Sequence, residues 1–493
     1  MTRRRLALLG ALVLLVLLAG VALARPGGGE SFSGGGGHSG GGGGGGGGSG
    51  ALVVFELLWY LLELCISYPY VGVPVLLLIV VWLVRSARVK AANADWDSGP
   101  PAELPPTRSL ADVRSIDPEF SQAVFEDFAF RLFATAQRAR ASAESLAAVA
   151  PYVAQGARDE LAQRAPAGVA VQQVVVGALR VIRVDLPPES KDGRVRVGVE
   201  FEANVATAEH TYYSVETWLF SRDASRHSKP PGATRTFPCP NCGAPWQAAA
   251  MGTQVCANCG QTVDNGRFDW IVEDISLASI DERPPTVTQD VPERGTDLPT
   301  YVDHDALPLM SALTAADPNA TDATITARLT AIYGALNQAW ANNDLAPARP
   351  FVSDALYDYL EYWIDTYKRQ SLRNQLTDMR ITRTQLAKVD RDKYYDAVTI
   401  RLWGTGKDFV INTQTGRVLR GSKHVERPYS EYWTVIRGAG RQGKAHTDAT
   451  CANCGAPLHI TMGGDCEHCN AHVTAGEFDW VLSKIEQDDT YRG

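Results

Sequence analysis

The sequence reads Glu216-Thr-Trp-Leu-Phe-Ser-Arg222 in its first half and Glu431-Tyr-Trp-Thr-Val-Ile-Arg437 in its second half. Each stretch is followed by two C-x-x-C pairs and then by a Gly-x-Phe-Asp-Trp motif, which ends at Trp270 or Trp480. The last cysteine precedes the phenylalanine by nine residues in both halves. Such self-similarity is typical of an internal duplication. The chain is therefore predicted to contain one kind of domain twice.

Each copy is predicted to place helices before a sheet. In the first copy Asp117-Pro118 predicts an N-cap followed by Pro at the first helical position. Apolar residues then recur every four positions from Phe120 to Leu132, which predicts one buried helix face. A second helical stretch spans about 142–164. Alternating and apolar runs then predict strands over residues 171–184, 194–205, 210–222 and 268–280.

The second copy follows the same plan. Its helices are predicted over residues 325–341 and 352–370, and its strands over 377–389, 394–403, 428–437 and 478–486. Helices first and a meandering antiparallel sheet afterwards indicate the α+β class. The fold is thus predicted as two tandem domains of helices on a curved antiparallel sheet. A zinc ribbon is inserted before the last strand of each domain.

Two tetrahedral metal sites are predicted from cysteine spacing. Two C-x-x-C pairs are separated by 13 residues in the first copy and by 11 in the second. Four thiolates from two adjacent turns suit structural zinc and close its coordination sphere. Disulfides, rubredoxin-like iron and a histidine ligand from His459, His468 or His472 are the alternatives. The predicted ligands are Cys239, Cys242, Cys256, Cys259, Cys451, Cys454, Cys466 and Cys469.

Glutamate and arginine recur six residues apart on the predicted third strands, as Glu216 with Arg222 and Glu431 with Arg437. Even spacing puts both residues of a strand on one face. They are interpreted either as a cross-strand ion pair that fixes register or as a polar pair within a pocket. No catalytic or cofactor-binding residue is predicted, because we find no catalytic triad, phosphate-binding loop or open metal site.

The first 90 residues are predicted to reach a membrane. Residues 1–25 combine an arginine cluster with an apolar run, as in a signal peptide or a first transmembrane helix. Residues 26–50 form a Gly/Ser-rich flexible segment. Residues 51–90 hold an apolar stretch long enough to span a bilayer, followed by basic residues. Both basic clusters predict that the soluble domains face the cytoplasm.

Proline-rich linkers set the predicted domain boundaries. Residues 91–116 and 284–320 are assigned to linkers. The first domain then spans residues 117–283 with its ribbon at 237–262. The second spans 321–493 with its ribbon at 449–473.

Charge disfavours nucleic acid as a partner. Residues 1–90 carry a net charge of +4, which leaves −12 on the rest of the chain. Binding to a phosphate backbone requires clustered positive charge. Acidic residues also lie close to both ribbons, at Asp264, Asp465, Glu467 and Glu477.

The layout resembles bacterial Tim44-like domain proteins, relatives of the membrane-anchoring subunit of the mitochondrial import motor. The shared features are the signal-like start, the Gly/Ser tract, the membrane segment with its basic flank, Asp117-Pro118-x-Phe120, and the Glu-x-Trp strand with a Trp strand downstream. The resemblance implies a cone-shaped fold of the nuclear transport factor 2-like class, with helices across a curved sheet enclosing a pocket. The duplication and the ribbons depart from that pattern.

These features together predict a membrane-anchored, non-enzymatic adaptor with two structural zinc ions. Its pockets are expected to hold a hydrophobic client, and its ribbons to contact a protein partner in protein transport or membrane-protein handling. The alternatives are a pocket enzyme of the isomerase or dehydratase type and a small-molecule or lipid binder, since the implied fold class hosts both.

Overall fold

The computed structural model describes residues 109–282 and 298–493, apart from residues 189, 191, 235, 251, 446–449, 462, 489, 490 and 492. Before residue 109 it describes only residues 68, 70, 74 and 81. The predicted signal peptide, Gly/Ser tract and membrane segment thus lie outside the described residues. Among the residues described, none belongs to a helix long and apolar enough to cross a membrane.

The first domain places three helices before its sheet. They are α1 (Gln122–Ala139), α2 (Ala143–Leu146) and α3 (Gln155–Gln163). Short 3₁₀ turns lie at Leu110–Ser115, Ala147–Val149 and Pro231–Thr234. The strands are β1 (Gln173–Asp185), β2 (Arg194–Ala206), β3 (Thr211–Asp223), β4 (Ala248–Ala249), β5 (Gly252–Cys256) and β6 (Ile271–Glu282).

The second domain repeats this order. Its helices are α4 (Ala306–Ala316), α5 (Asp322–Ala341) and α6 (Asp354–Arg369), with 3₁₀ turns at Ala346–Phe351 and Val473–Ala475. Its strands are β7 (Leu372–Arg391), β8 (Tyr395–Asn412), β9 (Val418–Gly421), β10 (Arg427–Gly438) and β11 (Val481–Gln487).

Both domains contain an antiparallel meander, which confirms the predicted α+β class. The first sheet has the order β1-β2-β3-β6, and the second has β7-β8-β10-β11 with β9 paired to β8. The register pairs Trp218 with Val199 in the first sheet and Trp433 with Ile400 in the second. The segment before the last helix also bridges the final strand in both domains, at Val153 and at Val352.

The helix predicted after Asp117-Pro118 begins four residues later than expected. Ser121 is the N-cap, and its hydroxyl accepts a hydrogen bond from the Val124 amide. Asp117 is not a cap. It lies in a turn before the helix, fully buried, and its carboxylate accepts a hydrogen bond from Arg222 at 2.8 Å. A buried cation on β3 therefore determines the position of Asp117.

The same contact recurs in the second domain. Arg437 donates to Asp317 at 2.9 Å, and Asp317 precedes Pro318 as Asp117 precedes Pro118. Each arginine also stacks on the tryptophan just before the last strand. The guanidinium carbon lies 4.5 Å from the ring centroid of Trp270 in the first domain and 4.6 Å from that of Trp480 in the second.

One interpretation of the spacing, a cross-strand ion pair between the repeated glutamate and arginine, is wrong. Glu216 accepts a hydrogen bond from the indole nitrogen of Trp218 at 3.0 Å, and Glu431 accepts one from Trp433 at 2.8 Å. Both arginines pair with the Asp-Pro turns. The two residues of each repeated Glu and Arg pair therefore make separate buried contacts. The glutamates hold the core indoles, and the arginines hold the turns.

Two further predictions need correction. The helix expected over residues 142–164 is broken into α2, a 3₁₀ turn and α3, because Pro151 and the bridge at Val153 interrupt it. The Pro-rich range 284–320 contains α4, whose Met310 and Leu313 are buried in the second core. The C-terminal part of this range is therefore a packed helix of the second domain and not a linker.

The two domains pack directly on each other. Val124 of α1 joins a buried cluster with Tyr395, Ile436 and Val481 of the second sheet. Arg114 makes two hydrogen bonds to Asp390, both at 2.7 Å. Paired hydrogen bonds of this kind add geometric specificity. They therefore help to fix the position of the first domain on the second.

We predict that Asp117→Asn lowers the free energy of unfolding by about 3 kcal/mol, because it leaves Arg222 buried without a counter-charge. Urea unfolding followed by tryptophan fluorescence measures this. Asp317→Asn should behave alike. Asp112→Asn, at an exposed position, is the control. Equal stability of all three variants would contradict the central role of the pair.

The same pair has a defined pH dependence. Burial opposes ionisation of Asp117, but hydrogen bonds from Ser228 and Arg222 hold its pKa below the ordinary value of 3.8. A carboxylate with a lowered folded pKa stabilises the fold above its ordinary pKa, and this stabilisation is lost as the pH falls through the folded value. The wild-type and Asp117→Asn stabilities should therefore converge on acidification.

Candidate metal centres

Both four-cysteine segments interrupt the connection between the last two strands of their sheet, as predicted. The first lies between β3 and β6 and includes the short β4–β5 hairpin, and the second lies between β10 and β11. In each segment a turn closes over every C-x-x-C pair. These turns bring the four sulfur atoms of each segment close together.

The first segment forms two such turns. The Gly243 amide donates to the Cys239 carbonyl and the Gly260 amide to the Cys256 carbonyl, both at 2.9 Å. Both glycines have positive φ, +73° and +68°. This left-handed conformation is the one that glycine adopts without strain. It is why a glycine follows each cysteine pair here.

The second segment repeats the geometry with one substitution. Gly455, with φ +73°, closes the first turn, and Asn470, with φ +55°, closes the second. Asparagine is enriched in the left-handed region among residues other than glycine. The turn after Cys469 therefore forms without glycine, which the sequence alone did not indicate.

The sulfur positions fit a tetrahedral ion. In each cluster all four Sγ atoms lie within 4.8 Å of one another. Cys239 and Cys259 are 3.8 Å apart, and Cys242 and Cys256 are 4.0 Å apart. Four thiolates about 2.3 Å from one zinc ion stand about 3.8 Å apart. Both clusters could thus bind zinc, with Cys239, Cys242, Cys256 and Cys259 as one ligand set and Cys451, Cys454, Cys466 and Cys469 as the other.

Asparagine side chains support the outer sulfur atoms. Asn258 donates to Cys242 at 3.4 Å, and Asn453 donates to Cys469 at 3.5 Å. These hydrogen bonds lower the pKa of each thiol to about 6. Burial instead raises the pKa of Cys239 to about 12. A bound cation would stabilise that buried thiolate. The asparagine side chains thus contact the predicted ligands and are not ligands themselves.

Aromatic residues attach the first segment to its own domain. The Trp246 indole donates to the carbonyl of Ala147 at 2.8 Å, and the Tyr152 hydroxyl donates to the carbonyl of Pro238 at 2.9 Å. Phe237 packs its ring edge-on to Phe128 at 6.2 Å. The base of this segment is therefore fixed to α1 and to the 3₁₀ turn after α2.

A histidine attaches the second segment. His472 places Nδ1 2.8 Å from Asp465 and Nε2 2.9 Å from Asp354, the first residue of α6. Both of its nitrogens therefore face carboxylates rather than the sulfur cluster, which contains no histidine. Burial opposes ionisation of Asp354, but hydrogen bonds from His472 and Arg349 outweigh it and hold the pKa of Asp354 well below its usual range.

Residues 309–446 match the family profile of the Tim44-like domain. The second domain is therefore similar to the Tim44-like domain over these residues. The match covers α5, α6 and the strands β7 to β10, and it ends before the second cysteine cluster. No curated protein matches the chain. The Tim44-like part of the resemblance is thus supported for residues 309–446, and the first domain shares the element order and the Asp–Arg–Trp contact of the second.

Large aromatic side chains lie buried in the interior of each domain, where the resemblance implied an enclosed pocket. In the second domain Trp340, Trp363 and Trp433 are fully buried. In the first domain Phe133 stacks on Phe201 at 4.4 Å. An open, largely polar groove of about 400 Å³ lies on the flank of α5 and is lined in part by Asn337, Gln338, Asn342, Arg373 and Gln375.

We predict that the purified chain carries two zinc ions. Cys256→Ser with Cys259→Ser should leave one ion, and Cys466→Ser with Cys469→Ser should also leave one, because each set has four ligands of its own. Native mass spectrometry counts the ions. A chain that carries none, or that loses both ions from either variant, would contradict two independent sites.

Chelation should unfold the cysteine segments and spare the sheets. Metal binding supplies about 10 kcal/mol of folding free energy to a small ribbon, whereas each sheet has its own buried core. Circular dichroism should keep most of its strand signal after chelation. A global loss of that signal would show that the ribbons hold the domains together.

Proposed function

We propose that the chain is a membrane-anchored, non-enzymatic adaptor that binds a protein partner in protein transport or membrane-protein handling. The Tim44-like domain supports an association with protein transport. The apolar sequence of residues 51–84 and its basic flank support an anchor with the folded domains on the cytoplasmic side of a bacterial inner membrane.

The metal centres support a binding role rather than a catalytic one. Four cysteines complete a tetrahedral sphere, so a bound zinc ion would have no open position for water or substrate. The metal would instead order a small surface that has little core of its own. A surface ordered in this way is suited to contact another molecule.

The surface of the first ribbon is the observation that carries this proposal. From Thr236 to Val263 the sequence has no Asp, Glu, Lys, Arg or His. Protein surfaces usually carry about 25–35% charged residues, and the cores of protein interfaces are depleted of charge. Asn241, Gln247 and Gln261 lie exposed on this segment. An exposed, uncharged surface of this extent is suited to contact with another protein.

We place the partner contact at this ribbon. Large aromatic side chains such as Trp218 and Trp433 are buried in the interiors of the two domains, so the exposed ribbon is the more accessible surface. The second ribbon is less exposed to partners on one side, because His472 is buried against α6. The first ribbon is therefore the surface through which the adaptor holds its partner.

We expect the protein released from its own membranes by gentle proteolysis to retain two zinc ions and a second protein. Gln247→Lys with Gln261→Lys should lower recovery of that protein about tenfold, because each lysine charge must be desolvated at an uncharged interface. Native mass spectrometry gives both the zinc content and the partner.

Ala312→Lys with Ala315→Lys is the matched control, since it adds the same two charges at exposed positions of α4. It should leave recovery of the partner unchanged. Equal recovery of the partner protein from all variants would show that the interface does not include the first ribbon. A bound small molecule without any protein would replace the adaptor with a ligand-binding function.

A further inference from the structure

The second ribbon is tied to the domain interface through a short series of polar contacts. Asp465 directly precedes the cysteine ligand Cys466 and lies 2.8 Å from His472 Nδ1. His472 Nε2 lies 2.9 Å from Asp354. Asp354 also accepts a hydrogen bond from Arg131 of α1 at 3.4 Å. The metal cluster of the second domain is therefore connected to a helix of the first domain.

These contacts are sheltered from solvent. The His472 side chain is 7% exposed, and Asp354 is 26% exposed. Asp354 accepts further hydrogen bonds from Arg349 at 2.6 Å and from Thr474 of the ribbon at 2.8 Å. Charge-assisted hydrogen bonds in a partly buried network are stronger than those at an open surface. Asp354 is thus the point where ribbon, helix α6 and first domain meet.

Steric fit holds the ribbon in this position. A side-chain carbon at Gly464 would come within 2.1 Å of the Thr474 hydroxyl and 2.8 Å of an Arg349 nitrogen. Gly464 also has φ +86°. The loop before Cys466 therefore approaches the Arg349–Asp354 contact more closely than any other residue type allows.

The first ribbon has no equivalent role among the contacts described. Its hydrogen bonds from Trp246 to Ala147, from Tyr152 to Pro238 and from Lys229 to Pro240 all stay within the first domain. No histidine occurs in its segment from Thr236 to Val263. The two ribbons share a cysteine geometry and differ in what they are attached to.

We propose that the second ribbon is a metal-dependent latch that holds α1 of the first domain against α6 of the second, while the first ribbon has no part in this contact. With the four cysteines bound to metal, the loop of Asp465 and the segment of His472 are held together, and His472 holds Asp354 in place for Arg131. Loss of the metal frees both segments and releases this end of the interface. The latch rests on the cysteine site and is independent of the adaptor's partner.

Hydrogen exchange of the full-length protein in detergent, read by mass spectrometry, tests the latch. His472→Gln should keep two zinc ions, because it changes no cysteine. It should raise exchange about tenfold in peptides covering residues 127–135 and 354–360. Peptides covering 388–395 should stay protected, since the paired hydrogen bonds between Arg114 and Asp390 hold that end. His459→Gln, at an exposed histidine of the same ribbon, is the control.

The cysteine variants test the role of the metal. Cys466→Ser with Cys469→Ser should raise exchange in the same two peptides, and Cys256→Ser with Cys259→Ser should leave them as in the parent. Unchanged exchange in His472→Gln with both ions present would overturn the latch. An equal effect of the two cysteine pairs would overturn it as well. If Cys466→Ser with Cys469→Ser unfolds the whole second domain, the exchange of His472→Gln alone tests the latch.

Discussion

One buried contact organises each domain: an arginine at the end of the third strand of the meander that pairs with an Asp-Pro turn and stacks on a tryptophan. In the first domain Arg222 joins Asp117 to Trp270. Arg222 lies just before the cysteine segment and Trp270 just after it, so this guanidinium fixes both ends of the inserted ribbon. The strands on either side of the insertion, β3 and β6, therefore pair with each other although the ribbon separates them in sequence.

The sequence predicted what depends on local periodicity. Strand alternation and cysteine spacing are short-range properties, and both sheets and both cysteine clusters lie where those patterns put them. Partners across the fold were not predictable in this way. Even spacing shows that Glu216 and Arg222 share a strand face, but it does not show that Trp218 binds one of them and Asp117 the other. The Asp-Pro pair at Asp317 was missed because no Phe follows it, although the repeated Arg437 was a usable signal.

The contacts of His472 at the candidate site were likewise not predictable from local sequence patterns. Four cysteines already account for the metal, so the sequence gives a nearby histidine no further role. Its partners lie 7 and 118 residues away, at Asp465 and Asp354. Only the docking of ribbon on helix brings them together. Similarly, prolines around residues 284–320 indicate a linker, and only packing of Met310 and Leu313 shows that α4 belongs to the core.

The two ribbons of the duplicated domain differ in what they contact within the molecule. Here the cysteine geometry is the same in both ribbons, so zinc binding alone does not distinguish them. Charge does. The second ribbon carries Asp465 and His472, which are used against its own chain, whereas the first lacks charged residues and histidine from Thr236 to Val263. Desolvating uncharged groups costs less on binding than desolvating charged ones, so the first ribbon is the one suited to a partner. The second keeps the two domains in a fixed relation, and that relation determines where the first ribbon is presented.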